Sequence, residues 1–315
     1  MKDFQFLIKR IQKQGKKIYL APIILVIFLI ALIFVQNSLD KRIENVRIKS
    51  VSDSLLTWET PYPVIDLIKG KPVISAKSAV VMDSDSQVVL FSKNENLVSP
   101  MASTTKLVTA LVALDYFGQD DIITVNKSSI NGVTIGFRNG ERVYFKDMLY
   151  AMLLPSANDA ALAVAQNYQG GDMAFVLAMN NKAEKYHLLS TRFSDPSGLD
   201  EENSTTALDL TRLATIVMKD KILAQVVGTQ EREISDITGT KTYKLINLNK
   251  LLGKDGINGV KTGFTTEAGE VLITSRQENG HNFIIVVMNS EDRFLDTEKL
   301  VDYIKGNISY LNLGL

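Results

Sequence analysis

Three short residue sets in this sequence have the types and spacing for acyl-transfer chemistry at a serine. Ser103-Thr104-Thr105-Lys106 sets a hydroxyl and an amine one helical turn apart, the simplest way to give a serine a base without histidine. Ser156-Ala157-Asn158 follows 53 residues later, and Lys261-Thr262-Gly263 another 105 residues on. Each set alone is weak. The first spacing recurs at Ser38–Lys41 and the second at Ser129–Asn131. Taken alone, Ser103 and Lys106 fit a helix cap and an outward-reaching lysine at least as well.

Composition removes the main competitors. The 315 residues include no cysteine, which excludes disulfides, thiolate metal sites and a cysteine nucleophile. Histidine occurs only as His187 and His281, too far apart in sequence for a zinc-binding helix and a poor supply for a serine–histidine hydrolase. His187 is expected to cap a helix and His281 to lie on the surface after a turn. No metal or cofactor is expected. The glycines of 253–263 do not have the order of a phosphate loop. Formal charge is zero overall, but residues 1–17 carry six basic side chains against Asp3, so the remainder is acidic by five. A nucleic-acid ligand is therefore not expected of the folded part.

The elements around the three sets read as follows. Ser103–Tyr116 is apolar on nearly every side, through Leu107, Val108, Ala110, Leu111, Val112, Ala113 and Leu114, the pattern of a helix buried all round. A lysine in its first turn would be desolvated, and desolvation favours the neutral amine that can accept a serine proton. Ser156 to Asn158 lie in a short turn after Pro155, where a loop can present both polar side chains to a cleft. Residues Gly259–Thr265 read as a strand in which Lys261 and Gly263 share one face and Thr262 takes the other.

Two β-branched runs, Ala79–Met82 and Gln87–Phe91, predict a hairpin near the start of the body. Helices are expected at Lys146–Leu153, Asp159–Asn167, Asp172–Tyr186, Ala207–Lys219 and Leu295–Ile304, and further strands at Glu270–Ser275 and Asn282–Asn289, with Asn279-Gly280 as a hairpin turn. Strands at both ends with helices between them give an α+β fold in which N- and C-terminal strands share one antiparallel sheet.

Residues 18–35 are uncharged and would span about 27 Å as a helix, close to the bilayer's hydrocarbon thickness. The lysines before them favour a cytoplasmic N-terminus and send the rest across. No small-residue cleavage pattern follows. The expected organisation is a basic cytoplasmic tail at 1–17, one transmembrane helix at 18–35, a stalk at 36–70 and a catalytic domain at 71–315, outside the cell membrane.

The order and context of the three sets resemble the penicillin-binding protein and serine β-lactamase superfamily. More narrowly, Pro100–Leu107, Pro155–Ala161, Asp195-Pro196-Ser197-Gly198-Leu199, Asn249-Lys250-Leu251-Leu252 and Gly259–Thr265 resemble the low-molecular-mass D-alanyl-D-alanine carboxypeptidases over roughly residues 75–305. The resemblance implies a β-lactamase/transpeptidase-like fold, with an antiparallel sheet beside a helical cluster. It also implies a peptidoglycan stem peptide ending in D-Ala-D-Ala as substrate and β-lactams as covalent inhibitors.

It further implies roles. Ser103 would attack, with Lys106 as base; Ser156 would relay a proton to the departing D-alanine, and Asn158 would hold the substrate amide and the lysine. Lys261 would add positive charge. Thr262 and Thr265 would bind the terminal carboxylate, with Gly263 in the substrate-binding strand. The backbone N–H groups of Ser103 and Phe264 would form the oxyanion hole. Family members often continue into a β-rich domain and an amphipathic membrane helix; this sequence runs only a few residues past the helix near Lys305, and its N-terminal span is expected to anchor it. The rival readings are a D,D-endopeptidase, a β-lactamase and a non-hydrolytic β-lactam or muropeptide sensor. No glutamate between Ser156 and Lys261 resembles the deacylating base of the β-lactamases.

Overall fold

Continuous apolar runs in strands near both ends of the body, Ala79–Met82 and Phe283–Met288, build one sheet with a core on each side of it. In the computed structural model, described for Gln5, Gln36 and residues 62–66, 70–126 and 131–311, the chain divides at Thr60/Pro61 into two units. The second begins with β1 (Tyr62–Ile65), β2 (Ser78–Asp83), β3 (Val89–Lys93) and β4 (Ser99–Pro100). A 3-10 turn, Ala102–Thr105, leads into α1 (Lys106–Tyr116), followed by β5 (Ile122–Thr124), β6 (Arg142–Tyr144), α2 (Phe145–Leu153), α3 (Asn158–Gln166) and α4 (Gly171–Lys185). Then come β7 (Ser204–Thr205), α5 (Ala207–Lys219), α6 (Lys221–Val227), β8 (Glu231–Ser235) and β9 (Thr242–Ile246). The unit closes with β10 (Ile257–Thr265), β11 (Gly269–Glu278), β12 (His281–Ser290), α7 (Arg293–Ile304) and β13 (Ile308–Leu311).

The main sheet is antiparallel in the order β10-β11-β12-β2-β3. Its centre joins the two ends of the body, with Val80 opposite Val286 and Val81 opposite Ile285, as expected from the sequence. Successive residues of a strand point to opposite faces. Val80, Met82, Ile284 and Val286 therefore enter the core shared with α1 to α6, while Ala79, Val81, Phe283 and Ile285 pack with Leu300 and Ile304 of α7. Asp296 of α7 fastens the entry to β2 by accepting from Ser75 N and Oγ (3.0 and 2.6 Å) and Ala76 N (2.7 Å).

Most expected elements are present within a few residues of their expected ends. The Asn279-Gly280 turn forms with both residues at positive φ. His187 caps α4 from the left-handed region, with its N–H on Glu184 O and Leu188 N–H on Ala183 O. His281 is less free than expected: its ring stacks on Tyr310 with centroids 3.6 Å apart. The expected single helix Ser103–Tyr116 starts instead as a 3-10 turn. Tyr62–Ile65, in the stretch read as stalk, pairs with β13. The tail at 1–17, the span at 18–35 and most of the stalk lie outside the described residues. Among the described residues no helix is long and apolar enough to cross a membrane.

Candidate active site

The site grows from the junction between the 3-10 turn and α1. Lys106 is the first residue of α1 and is 0% exposed, because that helix is buried on all sides through Ala113. Its Nζ lies 2.9 Å from Ser103 Oγ, 2.7 Å from Asn158 Oδ1 and 2.5 Å from the Ser197 carbonyl oxygen. An ammonium fills these three acceptors with its three N–H bonds. A neutral amine has only two, which suit Asn158 and Ser197, and its lone pair is then left facing the Ser103 hydroxyl. Burial lowers the Lys106 pKa to about 7, against the opposing charges of Asp195 and Asp159. The amine can therefore be neutral near neutral pH and receive the Ser103 proton.

Asn158 opens α3 and is itself held from two sides. Its backbone N–H donates to Val133 O at 2.8 Å, and its Nδ2 donates to Asn131 O at 3.0 Å. Asn131, from the spurious second copy of the S-x-N pattern, thus contributes a carbonyl to the site. Ser156 is 3% exposed, sits at φ +68°, and its buried Oγ has no hydrogen-bond partner within the protein. A strained, buried hydroxyl without an internal partner is free for a reaction.

The third set lies on β10. Lys261 is 2% exposed, and its Nζ donates to Thr262 O at 3.0 Å. Burial, with the charges of Lys106 and Arg293, holds its pKa well below the ordinary lysine value. Gly263 presses on the 3-10 turn: a Cβ there would stand 3.2 Å from Ala102 Cβ and 3.3 Å from Ser103 N. The strand backbone at Gly263 therefore runs beside the Ser103 N–H. Thr262 is buried. Phe264 is 63% exposed at the rim. Thr265 Oγ1 accepts from Ala268 N at 3.0 Å, so this hydroxyl, expected to bind a carboxylate, also braces the β10–β11 turn.

Two groups at the site had been given no role by the sequence. Arg293, at the start of α7, donates from its guanidinium to Gly263 O at 2.8 Å, and burial lowers its pKa. The Ser197 carbonyl is a backbone atom, invisible to any residue-type argument. It can approach because Gly198, at φ +83°, has no Cβ; one would stand 2.0 Å from Ala102 O. Asn249, part of a quoted motif, ties down the start of β10 through Nδ2 to Gly259 O at 3.2 Å. Among the described residues no group of His, Asp and Glu is placed to hold a metal ion.

Residues 66–292 match the peptidase S11 family, D-alanyl-D-alanine carboxypeptidase. The chain belongs to that family. It is accordingly a serine-type peptidase of the hydrolase class, and the family supports D,D-carboxypeptidase or D,D-endopeptidase activity on peptidoglycan. It is 37% identical over 227 residues to a D-alanyl-D-alanine endopeptidase of Pseudomonas aeruginosa, covering 70% of this chain and 73% of that protein. It is 32% identical to the D-alanyl-D-alanine carboxypeptidase DacF of Bacillus subtilis, covering 72% of this chain and 61% of the other. The crystal structure of the Streptomyces K15 DD-transpeptidase superposes with a TM-score of 0.71 at 29% identity, over 75% of this chain and 99% of that one.

Proposed function

We propose that the protein is a membrane-anchored serine D,D-carboxypeptidase that removes the terminal D-alanine from peptidoglycan stem peptides. The observation that carries this reading is Lys106 Nζ, buried and shared between Ser103 Oγ and Asn158 Oδ1. Neutral Lys106 takes the Ser103 proton as Oγ attacks the carbonyl of the penultimate D-alanine. The oxyanion that forms faces the N–H groups of Ser103 and Phe264. Ser156 passes a proton to the departing amine, the C–N bond breaks, and D-alanine leaves an ester on Ser103. Asn158 holds the lysine and the substrate amide. Lys261, Thr262, Gly263 and Thr265 line the strand along which the substrate's terminal carboxylate lies. Water then hydrolyses the ester.

β-Lactams acylate the same serine and act as inhibitors. The uncharged residues 18–35 hold the enzyme in the cell membrane, with the basic tail in the cytoplasm and the catalytic unit outside.

A second reading, D,D-endopeptidase, is favoured by one observation: the relatives at 37% and 34% identity are both D-alanyl-D-alanine endopeptidases, of Pseudomonas aeruginosa and Escherichia coli. Both reactions use the same acyl-enzyme and differ in the leaving amine. Incubation with a pentapeptide ending in D-Ala-D-Ala and, separately, with a cross-linked dimer, followed by mass analysis, separates them. Loss of one alanine from the pentapeptide is expected. Cleavage of the dimer alone would establish the endopeptidase, and inertness toward both would refute the reading.

A further inference from the structure

Behind Lys106 lies a carboxylate that the reaction scheme above does not use. Asp195 Oδ1 accepts from Ser197 N (2.5 Å), Ser197 Oγ (2.7 Å) and Gly198 N (2.7 Å), and Oδ2 accepts from Asp200 N (2.6 Å) and Asn203 Nδ2 (2.8 Å). Five donors on one side chain close residues 194–203 into a loop. Asn203 finishes the closure: its Oδ1 accepts from Ser194 N at 3.1 Å, and its backbone oxygen accepts from Met101 N at 3.0 Å, two residues before the nucleophile. From this loop two successive carbonyls reach α1, Pro196 O to Thr109 Oγ1 at 2.6 Å and Ser197 O to Lys106 Nζ at 2.5 Å.

We propose that Asp195 is a positioning residue for the Lys106 base: it shapes the loop that holds the Ser197 carbonyl on Nζ, and its charge steadies the ammonium formed when the Ser103 proton arrives. The inference rests on Lys106 acting as the base. All five partners are donors, so an amide at 195 would set an N–H against an N–H on one of its two arms. A buried anion with five donors stays ionised, and hydrogen bonds hold the Asp195 carboxyl below its ordinary value although burial opposes them. The charged groups acting on Lys106 are then Asp195 from this loop and Asp159 from α3, with Lys261 approaching from β10. Removing one anion from this set makes the ammonium harder to form.

The test is the rate of acylation by a fluorescent penicillin against pH, in the full-length enzyme and in Asp195→Asn and Asp195→Glu. Labelling of the parent that disappears in Ser103→Ala and in Lys106→Ala establishes the reading on which the inference depends; an unlabelled parent, or undiminished labelling of Lys106→Ala, refutes that reading instead. With the parent labelled, Asp195→Asn is expected to lose about tenfold or more in plateau rate, and its acid limb is expected to move about one unit lower in pH. Asp195→Glu keeps the charge and should lower the plateau while leaving the limb in place. A purely structural role would lower rates without moving the limb in Asp195→Asn, and that result, or unchanged kinetics, overturns the proposal. Should Asp195→Asn fail to fold, an unchanged plateau or a displaced limb in Asp195→Glu overturns it.

Discussion

A buried lysine whose pKa falls to about 7 makes a weak nucleophile usable near neutral pH, and two measurements follow at this scale. Replacing the amine removes the side chain that, among the described residues, is hydrogen-bonded to Ser103 Oγ and can take its proton, so Lys106→Ala should lose about a thousandfold or more in acylation by a fluorescent penicillin, with an unchanged far-UV spectrum. Undiminished labelling would dismiss the lysine as base. The pH dependence carries a definite sign. Acylation needs the neutral amine, so the rate should climb as pH rises through about 7 and fall away on the acid side; a pre-steady-state profile that is flat from pH 5 to 9 would contradict this. Residue types in order singled out Ser103, Lys106, Ser156, Asn158 and Lys261, of which the structure joins Ser103, Lys106 and Asn158 by hydrogen bonds. What they could not disclose were groups that act through backbone atoms, namely the Ser197 and Asn131 carbonyls. Arg293 was equally silent, because a lone arginine 30 residues after Gly263 has no pattern to mark it.

Elements matter here through how closely they approach. The contact of β10 with the 3-10 turn depends on Gly263, because a methyl group would meet Ala102 Cβ and Met101 O at 3.2 Å. Contacts of that kind require a shift of a few tenths of an ångström, and misplacement on that scale is costly to a reaction. Gly263→Ala should therefore fold and melt within a few degrees of the parent, yet acylate about tenfold or more slowly. Full activity in this variant would show that the strand's proximity is incidental. The apolar helices and the hairpins with Asn-Gly or β-branched runs were legible because burial and turn chemistry leave periodic traces. The β8–β9 hairpin was not. Its strands expose Glu231, Glu233, Thr242, Lys244 and Ile246 and bury little besides Ile234 and Leu245, so alternation there is faint. Helix α6 is only seven residues long, and its signal is a cap, Asp220, accepting from Ile222 N and Leu223 N. Such a helix is too short for periodicity to stand out.

At the scale of the whole molecule, the sheet that joins β2 to β12 brings the two ends of the catalytic unit together, while the uncharged residues 18–35 are proposed to hold that unit at the membrane. Protease added outside intact cells should digest the catalytic unit and spare the first 17 residues; a protected unit, or one released in soluble form, would refute the anchor. Hydrolysis of a penicilloyl ester at β-lactamase rates requires an added base beside a water, and none is assigned here, so the penicillin adduct should outlast the peptide ester. The most direct test of the central claim is intact-mass spectrometry of the protein after mixing with penicillin. One covalent adduct of the drug's mass, persisting for minutes and absent from Ser103→Ala, is the predicted result. An adduct that survives Ser103→Ala, or rapid return of free enzyme with excess penicilloic acid in solution, would contradict it.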